Sequence, residues 1–168
     1  MPARPLPFDP IAEARRQWEE HGWADAAPGM AAVTSVMRAE QIFLARVDEV
    51  LRPLGLTFAR FEALRLLTFS RRGELPLSKV GQRLQVHPAS VTNTIDRLEA
   101  HGHVARVPHP TDGRTTLARV TPAGRALVEK ATAALNEQVF TATGLAERDL
   151  ADLVRLLEKL RHAAGDYD

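Results

Sequence analysis

"LSKVGQRLQVHPASVTNTIDRLEAHGHVARVPHPTDGRTTLARVTPAG", residues 77–124, is the stretch that decides the fold. Hydrophobic spacing and chain-breaking residues predict a short helix over 75–84, a tight turn, a helix over 88–102, and strands at 103–107 and 115–120. Two short helices joined by a tight turn and followed by a hairpin describe a winged helix-turn-helix. The alternative is a small helical hairpin with a polar, solvated face.

The spacing inside the two helices fits the close packing that this motif requires. Gly81 has no side chain where the first helix must approach the second, and Val91 is apolar on the facing side. Leu84, Ile95 and Leu98 complete the inward side. Short hydroxyl and amide side chains on the other side suit entry into a DNA groove. The predicted DNA contacts of the helix pair are Ser78, His87, Ala89, Ser90, Thr92, Asn93, Thr94 and Arg97.

Positive charge is concentrated in the same part of the chain. Residues 71–119 hold eight arginines and lysines against four acidic residues, although the whole chain has a net charge of only +1. A basic zone between acidic flanks is the electrostatic footprint that nucleic-acid binding needs. The turn "TDGR" (residues 111–114) places an arginine at the hairpin tip, two residues after an acid. This pattern indicates a wing that reaches a DNA backbone or minor groove; a loop that merely carries charge is the alternative.

These residues resemble the DNA-binding lobe of the MarR family of bacterial transcription regulators. The family's wing signature is Asp-x-Arg, five residues, Leu-Thr and often Gly. Here, with valine in place of leucine, it reads Asp112-x-Arg114, "TTLAR", Val120-Thr121 and Gly124. The "DRLE" of residues 96–99 also matches, and the resemblance covers about residues 30–163, helix for helix. Gln85 is a departure, because the family's turn often has glycine at this position.

The resemblance implies how the wing and the assembly work. Arg114 would enter the minor groove or grip the backbone beside it, and Asp112 would hold its guanidinium by a bidentate pair. The chain would form a homodimer that presents two recognition helices, about 34–36 Å apart, to an inverted-repeat operator in double-stranded DNA. A small aromatic or anionic ligand bound between the dimer helices and the DNA lobe would release the operator. The predicted pocket residues, whose alternative role is core packing, are Trp18, Phe43, Val47, Phe58, Arg60 and Phe61.

The N-terminal helix that carries Trp18 is similar to an extra helix in the urate-responsive branch of the family. Glu62 and Thr94, however, stand where that branch has an aspartate and an arginine. Without the arginine, the anionic urate loses its charge partner. Urate is therefore not predicted as the ligand.

The rest of the chain is predicted to be helical, so the fold class is mainly α with a small β-hairpin wing (α+β). A helix capped by Asp9 ends by Gly22 and is followed by the linker "ADAAPG". Further helices are predicted over about 30–51, 57–70, 121–142 and 147–163. A leucine stripe on the last helix is expected to serve the dimer, with intrachain core as the alternative. It comprises Leu150, Leu153, Leu157 and Leu160.

The predicted organisation has three parts. They are an N-terminal extension (1–28), a helical dimerisation region (29–55 and 121–168) and a winged helix-turn-helix lobe (56–120). A length of 168 residues fits one domain with an extension. No apolar run is long enough for a membrane span, and "MPARPLPFDP" lacks the apolar core of a signal peptide. We therefore expect a cytoplasmic protein without a membrane partner.

Several classes of chemistry are not predicted. The absence of cysteine excludes disulfides, thiol redox chemistry and cysteine-ligated metal. His101 and His103, with His109 or His87, could supply nitrogen ligands, but one ends a helix and the other starts a strand. Their rings need not converge, so no metal and no cofactor are predicted. The sequence has no phosphate loop, no Gly-x-Ser-x-Gly and no clear Ser/His/Asp set, so an enzyme is not predicted.

The sequence therefore favours a dimeric, DNA-binding transcription regulator, most often a repressor in this family, that is released by a small ligand. One alternative is a DNA-binding protein without a small-molecule switch. Another is a winged-helix module that binds proteins and has lost DNA binding.

Overall fold

The computed structural model describes residues 6–167; residues 1–5 of the predicted extension and Asp168 lie outside the described residues. The helices are α1 (Pro10–Glu20), α2 (Ala27–Leu51), α3 (Phe58–Phe69), α4 (Leu77–Leu84), α5 (Pro88–Ala100), α6 (Pro122–Leu135) and α7 (Glu147–Ala163). The strands are β1 (Glu74–Pro76), β2 (Val104–Pro108) and β3 (Thr116–Val120). The chain divides into two compact units, the first ending at Ala59 and the second beginning at Arg60.

The first unit contains α1 and α2, which pack against each other. Asp9 fixes the start of α1, because its Oδ1 accepts a hydrogen bond from the Ile11 N–H at 2.9 Å. Trp18 is half-buried and meets the ring of Trp23 edge to face, with the ring centroids 5.3 Å apart. The predicted N-terminal helix and its capping residue are therefore confirmed.

Two helix boundaries differ from the sequence prediction. α2 begins at Ala27, inside the predicted "ADAAPG" linker, because Pro28 occupies the first turn of a helix without breaking a hydrogen bond. α6 ends at Leu135 and continues as a π-helical segment, Asn136–Phe140. The Thr141 N–H donates to the Asn136 carbonyl at 3.0 Å and closes that wider turn.

The second unit holds a three-stranded antiparallel sheet with the order β1-β3-β2. The hairpin β2–β3 was predicted, whereas β1 was not: the sequence prediction placed residues 75–76 in a helix. Leu75 pairs with Ala118, on the edge of β3 that β2 does not occupy. Pro76 ends this strand at the sheet edge, where its missing N–H breaks no ladder. Strand β3 of the wing is therefore also paired with β1, the segment that leads into α4.

The helix pair α4–α5 packs as its sequence predicts. A Cβ added to Gly81 would lie 3.1 Å from Val91 Cγ2, so a larger residue would push the two helices apart. Gln85 takes the left-handed conformation (φ 53°) that glycine usually provides, and the Val86 N–H donates to the Gly81 carbonyl at 3.1 Å. The turn therefore has the conformation that glycine would allow, at the cost of placing a side chain in the left-handed region.

The start of α6 lies directly against the start of β2. Thr121 caps this helix, since its Oγ1 accepts from the Gly124 N–H at 3.0 Å, and its own N–H donates to the His103 carbonyl at 3.1 Å. A Cβ on Gly124 would lie 2.0 Å from that carbonyl oxygen. The glycine that ends the wing signature therefore permits a backbone contact that no side chain could fit. The largest fully buried side chains of this unit are Leu64, Leu67, Val80, Ile95, Leu98, Val104, Val128 and Leu135.

Candidate nucleic-acid interface

The outer face of α5 carries most of the predicted DNA contacts. His87 caps the helix, because its Nδ1 accepts from the Ala89 N–H at 3.2 Å. Val91, Ile95 and Leu98 are buried and fix which side of the helix faces the core. Thr94 is half-buried, and the other predicted residues are exposed: Ser78, His87, Ala89, Ser90, Thr92, Asn93 and Arg97.

These exposed side chains differ in the hydrogen-bonding capacity that they retain. Among residues 6–167, the side chains of Ser90 and Asn93 form no hydrogen bond, so their polar groups remain available. The Thr92 hydroxyl donates to the Pro88 carbonyl at 3.1 Å, which leaves its lone pairs to accept. His87 Nδ1 accepts from the Ala89 N–H, and Nε2 forms no hydrogen bond among the described residues. A shallow concavity on α5 is lined by Ala89, Ser90, Asn93 and Thr94.

The wing turn corrects the role that the sequence analysis gave to Asp112. Its carboxylate does not pair with the guanidinium of Arg114. Instead, Oδ1 accepts from the Arg114 backbone N–H at 3.0 Å and Oδ2 accepts from the Thr115 hydroxyl at 2.7 Å. A short acidic side chain reaches a backbone two residues on more easily than a side chain that extends into solvent. The Thr115 hydroxyl and the Arg114 N–H lower the pKa of Asp112.

Arg114 therefore keeps its guanidinium at the exposed tip of the wing. The Thr115 N–H donates to the Asp112 carbonyl at 3.0 Å, and the His109 N–H donates to the Thr115 carbonyl at 3.1 Å. These bonds order the loop from which the arginine projects. A fixed backbone with a free cationic side chain is the arrangement that contact with a phosphate or a narrow minor groove requires.

In the basic zone (residues 71–119) every acidic side chain is ion-paired or hydrogen-bonded, whereas most basic side chains form no salt bridge among the described residues. The acids pair as follows: Glu74 with Arg119, Asp96 and Glu99 with Arg106, and Asp112 with the wing turn. The basic residues that are exposed and form no salt bridge within residues 6–167 are Arg71, Arg72, Lys79, Arg83, Arg97 and Arg114. The zone keeps a net charge of +4, and the cations that form no salt bridge are exposed on this surface.

Arg106 is a positioning residue that the sequence analysis did not identify. Its Nη2 lies 2.6 Å from Asp96 Oδ1, Nη1 pairs with Glu99, and its backbone N–H donates to Glu99 Oε1 at 2.9 Å. These contacts join the last turns of α5 to β2. The "DRLE" motif contains both acids, but their partner is seven and ten residues away, so only the folded hairpin brings it there.

The contact between Glu99 on α5 and Arg106 on β2 should be detectable as a pH dependence of stability. The backbone N–H and the guanidinium of Arg106 lower the pKa of Glu99. A carboxylate with a lowered folded-state pKa stabilises the protein above its ordinary pKa, and this stabilisation is lost as the pH falls through the folded-state value. We expect Glu99→Gln to be less stable than wild type near neutral pH and to lose less unfolding free energy between about pH 7 and about pH 3. Urea unfolding across this range measures the difference. Equal losses of unfolding free energy in Glu99→Gln and in the wild type over this range would contradict the prediction.

The six predicted pocket residues are distributed over both units. Trp18, Phe43, Val47 and Phe58 belong to the first unit, and Arg60 and Phe61 to the second. Val47 and Phe61 are buried, while the other four are half-buried. The ligand pocket stays a prediction.

Two further observations concern metal binding by the histidines and the apolarity of the helices. The rings of His101 and His103 are stacked with their centroids 6.2 Å apart, and burial together with the nearby His101 lowers the pKa of His103. Over residues 6–167, no group of three or more His, Cys, Asp or Glu side chains is placed to hold a metal ion. In the same range, no helix combines the length and apolarity that crossing a bilayer requires.

Comparison with known sequences agrees with this geometry. The model of the MarR family matches residues 56–116. The HTH-type transcriptional repressor Rv2887 of Mycobacterium tuberculosis is 32% identical over 143 residues, which cover 83% of this chain and 97% of that protein. The HTH-type transcriptional regulator MhqR of Bacillus subtilis is 34% identical over 74 residues, 44% of this chain and 50% of that protein.

Solved structures share the fold. Sco5413, a MarR family transcriptional regulator from Streptomyces coelicolor, has 54% sequence identity and a TM-score of 0.76, covering 84% of this chain and 98% of that chain. A mutant MarR from E. coli complexed with operator DNA has 26% identity and a TM-score of 0.70, covering 76% and 91%. The predicted fold class is confirmed, and so is the prediction that the chain is not an enzyme. The chain belongs to the MarR family of transcriptional regulators.

Proposed function

We propose that the chain is a homodimeric repressor that binds an inverted-repeat operator in double-stranded DNA and is released by a small aromatic or anionic ligand. The observation that carries DNA binding is the set of exposed, unpaired cations on α4, α5 and the wing, beside acids that are already engaged. Such a surface attracts the phosphate backbone by counterion release. A protein that acts on the chromosome is expected in the cytoplasm.

The two DNA-contacting parts would have different roles. α5 would enter the major groove, where Ser90 and Asn93 can bond base edges and His87 can donate from Nε2 to a phosphate. The wing would extend beside the groove, so that Arg114 reaches the adjacent minor groove. DNA binding by this fold is supported by the related mutant MarR of E. coli, whose structure was solved in complex with operator DNA.

The homodimer is supported by apolar surface that the chain does not bury. α7 has no buried residue, although it carries the predicted leucine stripe. Leu160 is 62% exposed on α7, and Val33 is 61% exposed on α2. These faces would be covered in a two-fold dimer, which is the common way for a soluble protein to bury such a surface. The other large exposed apolar side chains on the two helices are Val36, Met37, Ile42, Leu44, Val154 and Leu156.

The proposed effector site rests on residue types. In the first unit Phe43 and Phe58 are half-buried aromatic residues, and in the second unit Arg60 is a half-buried residue of a type that suits an anionic group. Nearby in sequence, burial raises the pKa of Glu62. A ligand releases the operator only if it binds more tightly to the conformation that does not fit DNA.

Titration against DNA tests this function. Full-length protein is added to labelled DNA from the intergenic region upstream of its own gene, at several salt concentrations, while sedimentation velocity reports the oligomeric state. Tight binding of a dimer to an inverted repeat, falling steeply with salt, is the expected result. Binding no tighter than to scrambled DNA of the same length would argue against this operator. Salt-independent binding would argue against the phosphate contacts.

Asn93→Ala is expected to relax base preference. An asparagine amide can bond an adenine edge in two places, and each such pair contributes on the order of 1–3 kcal/mol of discrimination. Affinity should therefore fall for the operator and change little for scrambled DNA, as measured by anisotropy with both duplexes. An equal loss on both duplexes would make Asn93 a phosphate contact instead.

A further inference from the structure

A second candidate ligand site, lined by none of the six predicted pocket residues, lies at the base of the wing. This wing-base cleft has a volume of about 560 Å³ and is bounded by the end of α3, β1, the last turn of α4 and the start of the wing loop. That volume is within the range of small-molecule sites, which is roughly 300–1,000 Å³. Its basic lining residues are Arg71, Arg72, Arg83 and His109.

The cleft carries positive charge that the protein does not neutralise. The one acid among its lining residues, Glu74, is already paired with Arg119 at 2.6 Å between Oε2 and Nε. Within residues 6–167, Arg71, Arg72 and Arg83 form no salt bridge. Three unpaired guanidinium groups around one concavity favour an anionic occupant.

The cleft also offers an apolar surface that a bare anion would leave uncovered. Phe69, at the end of α3, is 76% exposed, and the guanidinium of Arg65 lies 5.0 Å from its ring centroid on one side. Leu117 and Pro110 contribute further apolar lining. A planar apolar group could stack against this ring while its anionic group meets the arginines. The lining therefore fits an aromatic anion better than an inorganic one.

Both walls of the cleft are fixed by backbone contacts. Gly73 takes a left-handed conformation (φ 70°), and its carbonyl accepts from the Val120 N–H at 2.9 Å, which holds the arginine-bearing turn against β3. On the other wall, the His109 N–H donates to the Thr115 carbonyl at 3.1 Å. A preformed site costs less conformational entropy to occupy than a mobile one.

We propose that the wing-base cleft binds a small aromatic anion, such as a carboxylate or sulfonate on a fused or substituted ring. The anionic group binds the cations of Arg71, Arg72 and Arg83, and the ring covers Phe69. The occupant would contact His109 and Pro110 in the loop that carries Arg114. Any effect on the operator rests on the proposed function, whereas binding to the free protein does not.

Calorimetric titration of 2-naphthoate into the full-length protein, without DNA, tests the proposal. We expect saturable binding to the wild type and at least tenfold weaker binding of neutral 2-naphthol. The double variant Arg71→Gln/Arg83→Gln, and separately Phe69→Ala, should each bind 2-naphthoate at least tenfold more weakly. Lys79→Gln removes a cation one turn before Arg83 on the same helix but outside the cleft, and it should bind within twofold of wild type.

Three results would overturn the proposal. They are no binding of 2-naphthoate at millimolar concentration, equal binding of 2-naphthol, and unchanged binding by the cleft variants, which would place the ligand elsewhere. If the double variant keeps 2-naphthoate affinity but loses operator affinity, the cleft is a phosphate contact. Circular dichroism melting confirms that each variant is folded. Because the titration omits DNA, failure to find an operator leaves its outcome unaffected.

Discussion

Replacing Gly124 with alanine is expected to lower the free energy of unfolding by on the order of 3 kcal/mol. The new Cβ would lie 2.0 Å from the His103 carbonyl oxygen and 2.9 Å from its carbonyl carbon. Both atoms belong to the backbone, so no side-chain rotation relieves the overlap, and α6 must move away from the start of β2. Urea unfolding at a fixed protein concentration, followed by circular dichroism, measures the loss.

Gly29→Ala provides the matched control for this substitution. Gly29 is the third residue of α2, as Gly124 is the third residue of α6, and a Cβ there would meet no atom within 4 Å. Alanine is the better helix former, so this variant should be as stable as the wild type or slightly more stable. If the two variants have the same unfolding midpoint, the close approach of α6 to β2 does not exist in solution.

Arg114→Ala is expected to weaken operator binding by on the order of 1–3 kcal/mol, or roughly ten- to hundredfold. The side chain is exposed at the wing tip, and within residues 6–167 it has no acidic partner, so its charge is available to DNA. The slope of log affinity against log salt concentration should fall by about one if the arginine replaces one counterion. Fluorescence anisotropy at several salt concentrations gives both quantities.

Arg119→Gln tests whether the effect of Arg114→Ala depends on where the positive charge is removed. Arg119 lies on β3, five residues after Arg114, and its Nε is 2.6 Å from Glu74 Oε2. The variant lowers the net charge by one, as Arg114→Ala does, but the lost charge lies on β3 beside Glu74 and not at the wing tip, so the variant should bind the operator with nearly wild-type affinity. Unchanged affinity for Arg114→Ala would show that the wing does not engage DNA. Equal losses for both variants would indicate a general charge effect.

The parts of the fold that depend on local signals could be predicted from the sequence. The last helix was predicted over 147–163 and occupies Glu147–Ala163. Thr121 and Pro122 begin α6 as expected, because a capping hydroxyl and a proline in the first turn act within a few residues. The same reasoning located Gly81 opposite Val91, since only the spacing between two adjacent helices was required.

Other parts depend on contacts that the sequence does not display. Residues 74–76 are too short to show alternation, and they form a strand only because β3 offers them an edge. The partner of Glu99 lies on the next strand, so the role of Arg106 appears only in the folded chain. Asp112 is different: its bond to the backbone two residues ahead is a local turn, and the aspartate that opens "DGR" could have indicated it.

The three-stranded sheet has a mechanical consequence. Its central strand, β3, forms one side of the wing, while its outer neighbour, β1, runs directly into α4 at Pro76. The wing and the helix pair are therefore connected through the sheet, so rotation of the wing is coupled to rotation of α4 and α5. A ligand that releases the operator, as proposed above, would have to tilt the wing and the helix pair as one body. The wing tip and α5 would then leave the operator together.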